Sequence, residues 1–316
     1  MRSPRARLGP VLVALVATTA LASCGKARPA TQQPYDFGNP SAQEQQLWFR
    51  ANRARADPGA EGAWLTHTGD TLVSDGLVAF AVDTSVVVSD FSSYPARPPV
   101  AWNARLAAIA AQQAADLAVS RTQCHFGADG SRPNGRVRAA GLDANYVAET
   151  VGSYVHSPLF GHAAFQIDWG GPAPTGVQEW PKPGHRFAIM SADVDRPVAN
   201  VVGMAWLAVP TGEDNFGPNV VVQEFAQING TFVVGMVWVD ANANGEFDLG
   251  EGLGGVEIRP DRGSWYGVTA AAGGFVVPVT DGTAYSFTFS GPGMHPMTRH
   301  VQVSSENVLV NVELPA

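Results

Sequence analysis

A twelve-residue stretch in the last third of the sequence carries oxygen-bearing side chains at the spacing that calcium ligands need. The stretch is DANANGEFDLGE, residues 240–251. It has the Asp-x-Asn-x-Asn-Gly-x5-Glu pattern of an EF-hand loop, which binds Ca²⁺ through carboxylate, amide and backbone oxygens. The sequence therefore predicts a calcium site. The predicted ligands are Asp240, Asn242, Asn244, Glu246, Asp248 and Glu251.

The positions within this loop have separate chemical roles. Gly245 at the sixth position allows a sharp turn, Glu246 at the seventh supplies its backbone carbonyl, and Glu251 can bind with both carboxylate oxygens. The flanking segments FVVGMVWV and GLGGVEI read as strands, so the loop is not expected to join two helices. It resembles the calcium loops of bacterial surface β-sandwiches, such as Sdr-type B repeats or prealbumin-like domains. A structural calcium ion is predicted, and an acidic hairpin without an ion is the alternative.

A second stretch, RTQCHFGADGSRPNGR at residues 121–136, places Cys124 beside His125. This pair is compatible with a nucleophile and its base, with half of a metal site, or with a helix that ends in a loop. Adjacent side chains are poorly placed to act together as thiolate and base. We therefore expect Cys124 to be a small buried thiol at a helix end.

Two helix patterns precede this stretch. SAQE, beginning at Ser41, has the Ser-x-x-Glu form of a capping box, and a helical pattern then runs to Pro58. Asn103 can cap a second helix, ARLAAIAAQQAADLAVSR, which leads towards Cys124. One face of this second helix is formed by Leu106, Ile109, Ala110, Gln113 and Leu117.

The remaining segments up to residue 227 predict a mixed fold. Residues 62–98 are rich in Val and Ser and are expected to be an insertion with one or two short strands. Residues 200–209 and 219–226 are β-like and are separated by a turn-rich segment. Because helices come first and strands later, the pattern favours an α+β fold over a doubly wound sheet.

Residues 228–316 have a different pattern of apolar and polar residues. They consist of short alternating runs divided by Gly, Asp and Asn, which is typical of a small antiparallel β-sandwich of Ig-like or prealbumin-like type. We therefore expect two domains, 41–227 and 228–316, that join near residues 227–230.

The first of these domains resembles the CAP superfamily of cysteine-rich secretory, antigen and pathogenesis-related proteins. The resemblance covers about residues 41–227, with 62–98 as an insertion, and it rests on six motifs in the family's order. These are LWFRANRARADPG, PVAWNARLAAIAAQQAADLA, CHFGADGSRPNGRVRAAGL, AET at 148–150, PGHRFAIM, and the pair NVVGMAWL and VVVQEFA. The resemblance implies an α-β-α sandwich.

The resemblance also implies a shallow cleft where two His and one or two acidic residues converge. By position these are His125, Glu149 and His185, and the fourth place is filled by Asp168 or Glu179, of which Asp168 ranks slightly ahead. The two His are expected to be ligands of Zn²⁺ or a similar ion. Glu149 and Asp168 are the expected catalytic carboxylates, which orient an imidazole or act on metal-bound water. The two His are sixty residues apart, so no local spacing supports a metal site and only the family fold brings them together.

The sequence leaves open whether this cleft catalyses a reaction. No Gly-x-Ser-x-Gly, His-Glu-x-x-His or phosphate-loop motif occurs. Members of the superfamily are linked to binding sterols or other lipids, to divalent cations and occasionally to proteolysis. We therefore expect a domain that binds a hydrophobic or cell-envelope ligand, a metal, or both. A metal-assisted extracellular hydrolase that uses the same cleft is the alternative, and a surface scaffold is a third.

The N-terminus predicts export and a lipid anchor. Three Arg are followed by an apolar run, VLVALVATTALA, which is too short for a membrane span and suits a signal peptide. The run ends in LASC, which resembles a bacterial lipobox. This predicts a signal peptide at 1–23, lipidation of Cys24, a polar tether at 24–40, and an outer-membrane or cell-surface location.

The charge of the chain argues against nucleic acid as a partner. The full sequence carries a net charge of −8, and loss of the three Arg in residues 1–23 would make it −11. Binding to nucleic acid needs clustered Lys and Arg to neutralise phosphates. The expected partners are therefore the membrane, through the lipid anchor, and a ligand of the cleft.

Overall fold

The computed structural model describes residues 31–171, 174–178, 184–212 and 214–316. The predicted signal peptide, Cys24 and the first part of the tether lie outside the described residues, and so does Glu179. Thr31–Ala316 form one compact unit. Within it we call residues up to 230 the N-terminal region and residues 231–316 the C-terminal region.

The helices of the described residues all lie in the N-terminal region. They are α1 (Ala42–Ala56), α2 (Pro58–Leu65), α3 (Thr71–Ala79), α4 (Thr84–Ser93), α5 (Ala104–Ser120), α6 (Pro133–Ala139), α7 (Pro158–Ile167) and α8 (Gly184–Met190). Among the described residues no single helix has the length and hydropathy of a membrane span, and only α3 and α4 taken together, bent by 105°, reach them.

The strands occur in both regions. In the N-terminal region they are β1 (Gln33–Pro34), β2 (Ala101–Trp102), β3 (Ala144–Gly152), β4 (Val201–Ala208) and β5 (Asn219–Ile228). In the C-terminal region they are β6 (Thr231–Asp240), β7 (Glu257–Pro260), β8 (Trp265–Val268), β9 (Gly274–Val279), β10 (Ala284–Gly291), β11 (Met294–Gln302), β12 (Val308–Leu309) and β13 (Val312–Pro315).

The two predicted N-terminal helices form α1 and α5. Ser41 and Glu44 make the reciprocal hydrogen bonds of a capping box, which satisfies two backbone N–H groups at the start of α1. Asn103 Oδ1 accepts from the N–H groups of Arg105 and Leu106 at the start of α5. Both predicted helix starts are therefore confirmed.

The N-terminal region is an α-β-α sandwich. Its sheet has the strand order β2-β4-β5-β3, with β5 antiparallel to both of its neighbours and β2 parallel to β4. Because successive side chains of a strand point to opposite faces, the two faces of the sheet contribute side chains to two separate cores. Ala114 of α5 packs with Val222, whereas Trp48 of α1 packs with Val202 and Phe225. The predicted fold class is confirmed.

The insertion at residues 62–98 differs from its prediction, because it is helical and contains no described strand. Asp70 and Asp83 each cap a helix by accepting hydrogen bonds from backbone N–H groups of the first turn. Each of the two helices buries only one face. The buried side chains are Val73 in α3 and Val87 and Phe91 in α4. The caps and this burial outweigh the β-propensity of valine, which depends strongly on context.

The C-terminal region consists of two sheets packed face to face, as predicted, but it is not wholly antiparallel, because β12 and β13 pair with β6 in parallel. One sheet has the order β1-β8-β7-β10-β11, and in the other β6 pairs with β9, β12 and β13. The core between them includes Val237 of β6, Phe275 of β9, and Phe287 and Phe289 of β10.

The two regions share a core, so the predicted boundary near 227–230 does not separate two independent cores. Phe232, Val234 and Val276 of the C-terminal region belong to the same buried cluster as Trp48 of α1.

Residues 31–40 also differ from their predicted role as part of a tether. Gln33 and Pro34 pair with β8, and Phe37 is buried. Tyr35 contacts the ring of Trp265, so its aromatic side chain holds this segment against the C-terminal region.

Candidate functional site

Glu149 of β3 holds His125, which lies in the loop that follows α5. His125 Nδ1 is 2.7 Å from Glu149 Oε1. The His125 side chain is 53% exposed, whereas the Glu149 side chain is 1% exposed. A buried carboxylate therefore fixes the orientation of an imidazole that solvent can reach.

A second acid lies opposite Glu149 on the neighbouring strand. Glu224 of β5 is the register partner of Glu149, and Arg136 of α6 bonds to both carboxylates. The Glu224 side chain is fully buried, and its Oε2 has no hydrogen-bond partner among the described residues. Burial, and then the neighbouring Glu149, raise the pKa of Glu224 well above its usual range, although Arg136 opposes the shift.

The sequence reasoning did not identify Glu224 as part of the site. The available signal was its position in VVVQEFA, a stretch in which every other residue except Gln223 is apolar. A charged residue inside a buried strand indicates a partner. The sequence does not give the pairing register, however, and that register places Glu224 beside Glu149.

Asp168 and His185 form the second pair. Asp168 is the residue that ends α7, in a left-handed conformation with φ of 58°. Its Oδ2 accepts from the backbone N–H of His185 at 3.1 Å, and its Oδ1 lies 2.7 Å from His185 Nδ1. The Asp168 side chain is 1% exposed. The structure thus places Asp168 beside His185, whereas the rival candidate Glu179 lies outside the described residues.

Arg186 of α8 holds together the segments that carry this second pair. Its buried guanidinium donates to the carbonyls of Gln166 and Ile167 at the end of α7, and it pairs with Asp90 of α4 at 2.7 Å. The side chain therefore ties α8, the end of α7 and the insertion together. Its role in binding the two segments that carry Asp168 and His185 is one of positioning.

Both imidazoles use the same nitrogen to contact their carboxylate. A neutral imidazole that donates its Nδ1 proton to a carboxylate keeps an unprotonated Nε2. In His125 and in His185, Nε2 has no hydrogen-bond partner among the described residues. Each pair can therefore offer one nitrogen to a metal ion or to a hydrogen-bond donor of a ligand.

The two pairs come from different layers of the sandwich. Glu149 contacts Arg136 of α6, on the α5 side of the sheet, whereas Asp168 and His185 belong to α7 and α8. In the described parts of the chain, no group of three or more His, Cys, Asp or Glu side chains is arranged to hold a metal ion. The described residues thus form no closed cage of four protein ligands, and each His–carboxylate pair stands as a separate candidate that offers one imidazole nitrogen.

A groove of about 520 Å³ runs along the second pair. We call it the α3 groove, because α3 of the insertion forms one of its walls and the end of β3 with α7 forms the other. Asp168 and His185 line this groove, but His125 and Glu149 do not. A volume of this size suits a small ligand.

Comparison with known protein families identifies the part of the chain that carries these His–carboxylate pairs. Residues 92–225 match the model of the cysteine-rich secretory protein family, CAP. These residues form a CAP domain. Both His–carboxylate pairs lie within it, and so does Glu224. Helices α1, α2 and α3 lie before the matched residues, and the C-terminal region lies after them.

Two solved structures with distant similarity are an outer surface protein from Borrelia burgdorferi and an extracellular protein containing an SCP domain from Bacillus anthracis str. Ames. The first is 18% identical, with a TM-score of 0.27, over 40% of this chain and 74% of the other. The second is 11% identical, with a TM-score of 0.30, over 49% of this chain and 41% of the other, so the chain spans less than half of its length. No curated protein matches the sequence.

Cys124 lies beside the CAP site without taking part in the His125 pair. The residue is half-buried rather than fully buried as predicted, and it packs against the core that contains Leu117 and Phe216. Its Sγ lies 3.4 Å from the carbonyl oxygen of Phe126, whereas the imidazole of His125 is directed to Glu149.

The calcium-type loop, residues 240–251, connects β6 to the segment before β7 and is folded by its own polar side chains. Glu251 accepts from the backbone N–H groups of Ala241 and Asp248. Asp240 accepts from the N–H of Gly245, which has a φ of +73°. Only glycine adopts this conformation readily, so the sequence requirement at the sixth position has a structural cause.

The donor atoms of this loop suit a hard cation. The carboxylates of Asp240, Asp248 and Glu251 and the amides of Asn242 and Asn244 supply oxygen, and calcium binds oxygen ligands. Both Asn amides donate to Asp248 Oδ2 at 2.9 Å, so the three side chains converge on this one oxygen atom. Rotation of either amide exchanges its NH₂ group for its oxygen.

The same loop is attached to α1 of the N-terminal region. Glu246 accepts from Arg53 at 2.5 Å, and Arg50 lies 3.5 Å from the same carboxylate. The ring of Phe247 is buried against Phe49, and its carbonyl accepts from Gln46 at 3.1 Å. The Glu246 side chain is thus engaged with α1, which leaves its backbone carbonyl as the group that can serve the loop.

Proposed function

We propose that this chain is an exported, lipid-anchored surface protein whose CAP domain binds a ligand in its cleft with the help of a divalent metal such as Zn²⁺. The observation that carries the proposal is the pair of carboxylate-backed imidazoles. His125 and His185 each present Nδ1 to a buried acid at 2.7 Å. This arrangement orients Nε2 towards a bound species in many metal sites.

The location in this proposal rests on the sequence of the N-terminus. A basic leader, an apolar run and the LASC segment precede Cys24, as in bacterial lipoproteins. Lipid attached to Cys24 would hold the body at a membrane surface. The C-terminal region then serves as a spacer or adhesion module that a calcium ion stabilises at residues 240–251.

Zinc binding to single His variants tests the role of the cleft. We compare the purified mature chain with His125→Ala and His185→Ala by isothermal titration calorimetry in calcium-containing buffer. Loss of either imidazole should weaken zinc binding at least about tenfold, because a two-ligand site retains little affinity with one ligand. The matched control is His300→Ala, which removes an exposed His of β11 that contacts Ser286.

Equal zinc binding by all four proteins would refute the metal part of the proposal. Because truncation of a His could disturb its buried partner acid, His125→Gln and His185→Gln are measured in parallel. These variants keep a hydrogen-bonding side chain and remove the imidazole ligand. Circular dichroism of each variant establishes that its fold is retained.

A metal-assisted hydrolase is the second candidate function, and one observation favours it. An imidazole backed by a buried carboxylate is the arrangement that orients general bases in hydrolytic sites. Each His of the cleft has this backing. Zinc-dependent release of product from a peptide or ester library, absent in Glu149→Gln, would favour hydrolysis, whereas a silent screen with zinc bound would favour binding alone.

A further inference from the structure

The walls of the α3 groove are aromatic. Phe80, at the end of α3, stacks on Trp169, with ring centroids 6.0 Å apart and an interplanar angle of 18°. Phe160 of α7 packs against the same indole at 5.7 Å. On the other side, the ring of Tyr154 meets the ring of His156 at 4.6 Å. Phe80 is 45% exposed and Tyr154 is 47% exposed, so two large rings face solvent at the rim.

The backbone fixes these exposed rings in place. Tyr154 has a φ of 58°, which is a costly conformation for an aromatic residue. Its N–H donates to the carbonyl of Phe216 at 2.8 Å, which holds the strained turn. Across the groove, a Cβ at Gly76 would lie 2.8 Å from the indole of Trp169, so only glycine lets α3 approach this closely. A strained, exposed aromatic residue is a feature of binding sites rather than of cores.

Polar groups are distributed between the aromatic rings. They are the side chains of Asp75, Gln123, Ser153, Tyr154, His156, Gln178 and His185. The Asp75 carboxylate has no hydrogen-bond or ion-pair partner among the described residues, and Gln123 uses only its oxygen, to accept from the N–H of Ser153 at 3.3 Å. Donors and acceptors are thus available along the whole groove, beside apolar surfaces.

The charged side chains among the described lining residues of the groove do not favour an anionic ligand. No Lys or Arg is found among its described lining residues, and its charged groups are Asp75 and the Asp168 of the His185 pair. Without a bound metal, a phosphate or the carboxylate of a fatty acid would meet negative charge here, and no described lining side chain is a cation that neutralises it. An acyl chain alone would cover the polar groups without giving them hydrogen bonds, which costs free energy for each group.

We propose that the α3 groove binds a neutral oligosaccharide, with sugar rings on Phe80 and Tyr154 and hydroxyl groups on the polar side chains between them. A pyranose ring has a face of polarised C–H bonds, which pack against the negative face of an aromatic ring. Its hydroxyl groups both donate and accept, as the carboxylate, amide and imidazole groups of this groove require. The inference rests on the proposed ligand-binding role of the cleft and names the class of its ligand.

The test is direct binding of three neutral trisaccharides, namely tri-N-acetylchitotriose, cellotriose and maltotriose, to the full mature chain. Binding is followed by NMR line broadening of the sugar and by tryptophan fluorescence up to millimolar concentrations. At least one trisaccharide should bind. Phe80→Ala and Tyr154→Asn should each weaken that binding about three- to tenfold, which is the loss of one aromatic contact. Asn tolerates the left-handed backbone of Tyr154, so this variant removes the ring without adding strain.

Two controls keep the test specific. Trp265→Ala removes an exposed aromatic residue of β8 outside the groove and should leave sugar binding unchanged. Tyr154→Phe keeps the ring and should retain most of the affinity. Thermal unfolding of every variant shows that the fold is intact.

Two results would overturn the proposal. The first is no binding of any of the three sugars, and the second is sugar binding that neither groove variant weakens. In the first case, saturable binding of laurate that Phe80→Ala abolishes would assign the groove to an acyl chain instead. Zinc titration in the absence of sugar separates this inference from the metal part of the proposed function. Sugar binding without zinc binding refutes only the metal, and zinc binding without sugar binding refutes only the oligosaccharide.

Discussion

The calcium-type loop and the CAP cleft obtain their geometry in opposite ways. All polar groups of the loop lie within twelve residues, and the loop folds on hydrogen bonds among its own side chains and backbone. In the cleft, each His is held by an acid 17 or 24 residues away, and Glu149 meets Glu224 only through strand pairing. A local pattern is therefore enough to identify the loop, whereas the cleft depends on the packing of several elements.

This difference predicts that loss of one buried side chain which supports the cleft, Arg186, should destabilise the cleft without changing calcium binding by the loop. Arg186→Ala removes a buried guanidinium that bonds to Gln166, Ile167 and Asp90. We expect the free energy of unfolding to fall by about 3–5 kcal/mol, because buried carbonyls and one carboxylate lose their partner. Urea unfolding measures the loss.

The control for this first prediction is an exposed arginine of the C-terminal region. Arg262→Ala removes an exposed arginine that pairs with Asp261, and it should leave the urea unfolding midpoint close to that of wild type. Retention of calcium-dependent stabilisation in folded Arg186→Ala would support the independence of the loop. A loss of stability no larger than that of Arg262→Ala would contradict the bracing role.

The second prediction concerns calcium itself. If the loop binds with the affinity of extracellular modules, about 10 mM Ca²⁺ should raise the free energy of unfolding by about 1.4–2.7 kcal/mol. Glu251→Gln removes one carboxylate oxygen and should abolish most of this gain. Differential scanning calorimetry with and without calcium makes the measurement, with magnesium as the ionic control. An unchanged melting temperature in wild type would rule out the calcium site.

The third prediction uses the buried acid of the cleft. Burial and Glu149 raise the pKa of Glu224, so this group binds more protons in the folded than in the unfolded state. Its contribution to stability is therefore complete below its unfolded pKa of about 4.5 and is lost as pH rises towards its folded pKa. Glu149, Arg136 and, through Glu149, His125 are the charged or titratable groups that face it.

Replacement of Glu224 by Gln should remove this pH dependence. Relative to Glu224→Gln, wild type should lose at least about 1 kcal/mol of stability between pH 5 and pH 8. Unfolding by urea at several pH values gives the two profiles. Parallel profiles for the two proteins would show that Glu224 does not change its protonation between folded and unfolded states in this range.

The fourth prediction has the smallest effect and tests how local the loop is. Glu246 pairs with Arg53 across the two regions, but both side chains are partly exposed. Arg53→Ala should therefore weaken calcium binding by no more than about fivefold, in line with the modest free energy of exposed ion pairs. A loss as large as that of Glu251→Gln would show that α1 forms part of the calcium site.

The secondary structure was predictable where local signals were strong. The capping box at Ser41, the Asn103 cap and the β-like runs that form β4 and β5 all appear as expected. The insertion was not predictable in the same way, because a Val-rich segment suits a strand or a buried helix equally until its burial pattern is known. Here the caps Asp70 and Asp83 decide for helices.

The sequence by itself determined the elements whose cause is local, namely the helix caps, the β-like runs and the spacing of oxygen groups in residues 240–251. Tertiary structure alone decided which acid meets which His, since that depends on the turn at Asp168 and on the register between β3 and β5. It also decided that Glu224 is buried against Glu149 and that α3 forms a wall of a groove. Contacts between residues far apart in sequence follow from packing, so a pattern in one segment can indicate that a partner exists but does not identify which residue it is.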